Sequence, residues 1–389
     1  MNKPDIVQID LKLKVIFLIV STILSLLIAE SALQFVKGNR FFIRQPNRYF
    51  VLEPDERYVR GVEGKAQFTV NSSGLRGDEL SEQEIKILTI GGSTTECGYL
   101  NDSEAWPHLV QEYLSQKTGK KVWVGNAGVS ALNSRHHVLQ TAELLKQIPK
   151  VDLMILLIGA NDPSLLKDGY NPAGLESPSI RQECLRSSFE VAPIRINSFK
   201  DFQLYRLIRN RFFPKINRRF YRTGEWYEEK RKQRQQFKKT SLSKEQESRL
   251  PIGLNEYKEN IKKIAHLCQE HETKVLFLTQ PTLYKSAMTE NEEMLLWGGG
   301  TIVSKGSRER AYITASDLRK IFTLYNDQLL ETGKKENFEV MDLDAIISPR
   351  SDSFYDDQHF NELGSERVAK AVTDFICEQK LLSYECGSG

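Results

Sequence analysis

The chain is poor in the residues that mark a metal-built or disulfide-built fold. Its 389 residues include five cysteines and six histidines. Cys97, Cys184, Cys268, Cys377 and Cys386 form no C-x-x-C pair, so neither zinc-ligand spacing nor a dense disulfide framework is present. The odd count leaves at least one thiol unpaired within the chain, and cysteine usage alone does not choose a redox compartment. Thirteen prolines and 24 glycines are too few for a collagenous or low-complexity chain. Charge is nearly balanced at +3, which excludes a generic polyanion binder over the whole length. Mean hydropathy is negative, which excludes a polytopic membrane protein. No internal repeat is visible. What remains, 40% apolar and 27% charged residues, is the composition of a globular chain.

One long apolar run stands out. Val15–Ala29 carries no charge, and apolar character resumes after Glu30 and Ser31 as far as Val36. As a helix, this segment would span roughly 33 Å, close to the thickness of a bilayer core. Lys3, Lys12 and Lys14 precede it, while Lys37, Arg40, Arg44 and Arg48 follow. A cleaved signal peptide competes, since Ala29-Glu30-Ser31 loosely fits a small-x-small site. The run outlasts a typical signal core, which favours a retained single-pass anchor contacting membrane lipid. The short tail of residues 1–14 favours N-inside, with the remainder outside the cytoplasm.

Five short apolar runs read as strands: Ile85–Ile90, Lys121–Val124, Leu153–Ile158, Lys274–Thr279 and Phe338–Leu343. They are continuous rather than alternating, as in parallel strands covered on both faces. Helical patterns over Trp106–Gln116, Val138–Gln147, Tyr257–Glu270 and Ile313–Thr332 separate them, and a last helix follows Asn361, a fitting N-cap. This alternation predicts a doubly wound α/β domain with its site at the carboxyl ends of the strands. Residues 37–80 form an extension without strong periodicity, and 164–252 a long insertion. Within it, 195–239 holds 15 Lys/Arg against 4 Asp/Glu, a net of +11 that leaves −8 for the rest of the chain. Ten aromatic residues are interleaved there. A solvated arm packing its aromatics on the domain competes with contact to anionic lipid or glycan; nucleic acid is not expected.

Four short stations follow predicted strands or precede the last helix. Gly91-Gly92-Ser93-Thr94 can present a serine on a sharp turn. Gly128, in Gly125-Asn126-Ala127-Gly128, can offer a backbone N–H. Asn161, in Gly159-Ala160-Asn161-Asp162, can offer an amide to developing negative charge. Asp356-Asp357-Gln358-His359 can present an imidazole with an orienting carboxylate. Taken singly, each also reads as an ordinary turn, and His136 and His137 read as packing or surface residues. No Gly-Lys-Ser/Thr follows the first station, so it is not a phosphate loop.

In conjunction and in this order, the stations resemble the SGNH hydrolases, also called GDSL-type esterases and lipases. Ser93, Gly128, Asn161 and His359 match the four name-giving residues, over roughly residues 84–163 and 337–380. The resemblance implies a flavodoxin-like three-layer α/β/α sandwich with a mainly parallel five-stranded sheet, here over residues 81–386 and interrupted by the insertion. It implies a serine hydrolase needing no metal or cofactor. Ser93 would be nucleophile, His359 general base and Asp356 its orienting carboxylate, chosen over Asp357 by the family's Asp-x-x-His spacing. Ser93 N–H, Gly128 N–H and the Asn161 amide would form the oxyanion hole. Gly92 stands where the family's Gly-Asp-Ser carries Asp, a departure from the usual first block.

With the anchor, this points to a membrane-bound esterase removing acyl groups, O-acetyl above all, from an acylated glycan or other cell-envelope or lipid ester. Two other readings use the same residues differently: an O-acetyltransferase acting on a polysaccharide, and a catalytically silent binding module of a membrane assembly.

Overall fold

The computed structural model describes residues 10–37, 40–81, 85–163, 173–192, 202, 204, 205, 208, 222–302, 310–348 and 350–387. The chain divides into two compact units, one of residues 1–40 and 191–216, the other of 41–190 and 217–389.

In the first unit, helix α1 runs Leu11–Lys37. Its stretch Leu11–Leu33 is long and apolar enough to cross a membrane. Near its end Glu30 is buried, and its carboxylate accepts the Leu204 N–H at 2.9 Å.

The second unit opens with an antiparallel hairpin of β1 (Arg48–Leu52) and β2 (Ala66–Val70). Strand β3 (Ile85–Gly91) then leads into a single helical turn, α2 (Ser93–Glu96), and on to α3 (Trp106–Thr118). Next come β4 (Val122–Asn126), α4 (Ser134–Gln147), β5 (Leu153–Leu157) and α5 (Pro178–Ser188). Helix α6 (Glu225–Gln236) and the two-residue strand β6 (Lys239–Thr240) precede the long α7 (Lys244–Glu270). Strands β7 (Lys274–Leu278), β8 (Gly300–Ile302) and β9 (Arg310–Ile313) follow, then α8 (Ala315–Glu336), β10 (Glu339–Met341) and α9 (Glu362–Glu378).

The central sheet has the order β10-β7-β5-β3-β4, and every pairing is parallel. Renumbered along the chain, this is the flavodoxin-like order, which reverses direction beside β3. Right-handed crossovers on the two sides of that reversal send helices to opposite faces. Accordingly α3 packs with α9, while α4 and α8 both pack against α7. The core strands β3 and β5 are buried nearly throughout, as continuous Ile/Leu/Met runs require. Register aligns their ends: Thr89 pairs with Asn126, and Gly91 with Leu157. The loops after β3, β4 and β5 therefore emerge side by side.

The five expected strands are all present: β3 and β4 extend slightly past the expected ends, and the other three are slightly shorter. Asn361 caps α9 by accepting the Gly364 N–H at 2.9 Å. Two features differ from the sequence reading, and a third, the cysteine pairing, is left open by it. The extension is not featureless: from residue 41 it belongs to the same unit as the sheet and forms the β1–β2 hairpin. Helix α7 starts at Lys244 rather than Tyr257, inside the expected insertion, because Ser243 and Gln246 close a capping box there and Pro251 is accommodated. Cys377 and Cys386 form a disulfide, leaving Cys97, Cys184 and Cys268 as buried thiols.

Most of the basic stretch 195–239 lies outside the described residues. Where it is described, two of its cations point inward. Arg231 donates to Tyr58 O (2.8 Å), Leu295 O (3.1 Å) and Tyr355 O (2.6 Å). Arg234 donates to Gly298 O (2.7 Å) and Ile313 O (3.1 Å).

Candidate active site

Ser93 is the first residue of α2, on the turn leaving β3. As an opening residue its N–H has no acceptor within the helix. Its hydroxyl Oγ lies 2.6 Å from His359 Nε2. The other ring nitrogen, Nδ1, sits 2.7 Å and 2.9 Å from the two oxygens of Asp356. With the proton on Nδ1 donated to that carboxylate, Nε2 is left to accept from the serine hydroxyl. Residues 266 positions apart in the chain are thus brought into one hydrogen-bonded line.

Burial shapes the electrostatics. Asp356 is fully buried, yet it receives the Gln358 and His359 N–H groups at 3.0 Å and 2.8 Å and the Trp297 indole N–H at 2.9 Å. Burial pushes its carboxyl up; His359 and the two backbone N–H donors outweigh that, and it stays below its ordinary value. For His359, burial opposes the charged ring, but the Asp356 carboxylate, with Asp357 and Glu96 assisting, wins and raises it above the ordinary imidazole value. Asp357 faces elsewhere. It accepts from Tyr284 OH (2.7 Å), Trp297 N (2.8 Å) and Gly298 N (2.6 Å), clamping the 297–298 turn, and burial together with Asp356 pushes it up to about 6. The structure therefore gives the two neighbouring aspartates separate places.

Asn161 reaches the same edge. One of its Nδ2 hydrogens goes to Leu132 O at 2.9 Å, and a Cβ placed on Gly92 would stand 2.8 Å from that nitrogen. The missing side chain at residue 92 thus leaves the amide beside the nucleophile turn. Gly128 is held differently. Its N–H donates to Asn126 Oδ1 at 2.8 Å, and a Cβ here would meet Glu96 N at 2.4 Å. The position demands glycine because two backbones touch, and its N–H is already engaged. Asp162 accepts the Ser134 N–H at 3.1 Å and so ties the third station to the start of α4. His137 is buried against Gln140, a packing residue.

Several residues around this centre carry no signal in the sequence. Arg76, 2% exposed, binds Asp102 at 2.8 Å and donates to Glu96 O (2.6 Å), Cys97 O (2.8 Å) and Leu100 O (2.7 Å). Those three carbonyls lie along the segment from α2 to Leu100. Arg44 pairs with Glu96 at 2.5 Å and donates to Gly128 O at 3.1 Å. Both arginines come from the extension and lie over the Phe68 ring. Tyr355 lies parallel to the His359 ring with centroids 5.5 Å apart, and Tyr227 of α6 stands 6.3 Å from it.

The arrangement can take a proton from a serine, store it on an oriented imidazole, and offer amide N–H groups to a developing oxyanion. Among the described residues no cluster of metal-ligating side chains occurs.

A model of the GDSL-like Lipase/Acylhydrolase family matches residues 89–367. Among solved structures, an acetylxylan esterase from Geobacillus stearothermophilus is similar at 13% identity and a TM-score of 0.40, over 79% of this chain and 98% of that one. A member of the lipolytic protein G-D-S-L family from Veillonella parvula is similar at 10% identity and a TM-score of 0.40, over 75% and 97% respectively. No curated protein matches the chain.

Proposed function

The chain belongs to the GDSL-like lipase/acylhydrolase family and is an ester-hydrolysing serine hydrolase; on that premise we propose that it is a membrane-anchored esterase removing O-acetyl groups from a cell-envelope glycan outside the cytoplasm. The observation that carries the chemistry is the Ser93–His359–Asp356 line, closed at 2.6 Å and 2.7 Å.

In the proposed reaction, Ser93 Oγ attacks the ester carbonyl as its proton passes to His359 Nε2. Asp356 keeps the ring in the productive tautomer and stabilises the imidazolium. The Ser93 N–H and the Asn161 amide face the oxyanion. Gly128, whose N–H is held by Asn126, contributes chiefly the close packing that fixes the nucleophile turn. Collapse breaks the ester C–O bond, and the His359 proton goes to the departing sugar oxygen. Water, deprotonated by His359, then attacks the acyl-enzyme and releases acetate and free Ser93.

Two features support the location. Leu11–Leu33 has the length and composition of a membrane span. The Cys377–Cys386 disulfide suits an oxidising compartment.

The test is hydrolysis of p-nitrophenyl acetate and butyrate by detergent-purified protein, beside Ser93→Ala and His359→Ala. Each variant is expected to lose on the order of 10⁴–10⁶ in kcat, with acetate preferred over butyrate in the wild type. Full activity in Ser93→Ala would sink the mechanism. An O-acetylated polysaccharide that yields no acetate, but receives acetyl from a donor, would turn the reading to acetyl transfer.

A further inference from the structure

An aromatic corner adjoins the Ser93–His359–Asp356 line and touches it through one indole N–H, that of Trp297. Three half-buried rings form it, and each comes from a different segment. Tyr99 lies just after the nucleophile turn, Trp226 near the start of α6, and Trp297 on the turn clamped by Asp357. The Trp226 indole N–H donates to Tyr99 OH at 3.1 Å, and its ring meets Trp297 edge-to-face with centroids 5.1 Å apart. Trp297 in turn donates to Asp356. Beneath them lies a buried layer: Tyr227, stacked on Trp226 at 4.0 Å, and Tyr355, stacked on His359.

This construction is specific. The two indole N–H groups are committed to protein partners, so what Trp226 and Trp297 have to offer a ligand is ring face rather than hydrogen-bond donors. The buried tyrosines and the Arg231 guanidinium, which lies over Tyr227 at 5.6 Å, hold the rings from behind. Fixed aromatic faces with few rotatable bonds contact a ligand at low entropic cost. An acyl chain is served by a flexible aliphatic sleeve. A flat aromatic face suits the C–H face of a sugar ring, whose hydroxyls stay at the rim.

We propose that Tyr99, Trp226 and Trp297 form a subsite that stacks on the pyranose ring bearing the ester, making the enzyme selective for acetylated sugars over acyclic esters. This rests on the esterase reading above and adds the part of the substrate that is recognised.

The test compares methyl glucoside tetraacetate with ethyl acetate, following acid release in a pH-stat with the full-length protein in detergent. Ethyl acetate lacks any ring, so its turnover reports the Ser93 chemistry alone. Trp226→Ala is expected to raise KM for the sugar ester about tenfold, in keeping with loss of one aromatic contact, and to leave ethyl acetate kinetics unchanged. Trp226→Phe, which keeps a ring face, should restore most of the sugar KM. An unchanged sugar KM in Trp226→Ala, or an equal loss on both esters, overturns the subsite. As a readout independent of that variant's folding, the sugar ester is titrated into Ser93→Ala while tryptophan emission is recorded. A saturable change is expected, and a flat titration overturns the proposal. Wild-type protein inactive on both esters would instead refute the esterase reading itself.

Discussion

At the edge of the parallel sheet, four short loops each deliver one or two chemically distinctive groups. Around them, Arg44, Arg76 and Trp297 arrive from the extension and from the segment between β5 and β10. The first set is fixed by strand ends: β3, β4 and β5 stop in register, so whatever follows them is adjacent. The second set is fixed by side-chain hydrogen bonds to backbone carbonyls and carboxylates, such as Arg76 to Leu100 O and Trp297 to Asp356. Sheet geometry brings Ser93, Gly128 and Asn161 near one another, and the turn ahead of α9 carries Asp356 and His359 to them. The bracing residues set how rigidly they stay there, and the two sets should fail in different observables.

The largest separation is expected from Asp356→Asn. The substitution keeps shape but offers the ring a donor as readily as an acceptor, which favours the wrong imidazole tautomer. Turnover of p-nitrophenyl acetate should fall by about 10⁴. Far-UV circular dichroism should be unchanged, because the sheet does not depend on this contact. A loss of less than tenfold would mean that another carboxylate orients His359, and Asp357 is too committed to Tyr284 and Trp297 to serve.

Arg76→Met should invert that pattern. It removes the guanidinium donor from the Glu96, Cys97 and Leu100 carbonyls and leaves one partner of a buried ion pair, Asp102, without its cation. Breaking a buried pair typically costs about 3–5 kcal/mol. The urea midpoint should drop accordingly. Below the transition, in contrast, kcat should fall much less than in Asp356→Asn. Retained stability would show that the extension merely covers the sheet rather than bracing the nucleophile turn.

The same division explains what the sequence made legible. A run such as Leu153–Leu157, apolar at every position, can hardly be anything but a covered strand, and all five central strands were visible on that ground. The first three site loops were readable because each follows such a run, and the fourth because it precedes a capped helix. Asp356 and His359 are three residues apart, so one turn of chain joins them. The hairpin was hidden because β1 is partly exposed and β2 alternates over only five residues, too short a pattern to stand out. The start of α7 was obscured by its polar first turns and Pro251. Trp297 could not be found at all. It reaches Asp356 across 59 positions, and an indole with that task looks like any other. Asn126, which takes the Gly128 N–H, was in view within the second station, yet nothing in its spacing distinguished an acceptor for that group from a turn residue.

The smallest predicted effect joins the two sets, because Trp297 belongs to the brace but touches the catalytic carboxylate. In Trp297→Phe the ring volume is largely kept while Asp356 loses one of its donors. His359 and the two backbone N–H groups remain, so kcat should fall only about tenfold, the scale of one hydrogen bond to a charged group. The pH profile carries the sharper distinction. His359 acts as a base only when neutral, and its value is already raised by Asp356, so the acid limb of kcat/KM should lie above about pH 6.5, the ordinary imidazole value. Removing the indole N–H leaves the Asp356 charge less satisfied by others and more available to the imidazolium. The limb should therefore move further upward in the variant. A merely structural tryptophan would lower the rate or the stability without moving the limb, so superimposable profiles would return Trp297 to the brace.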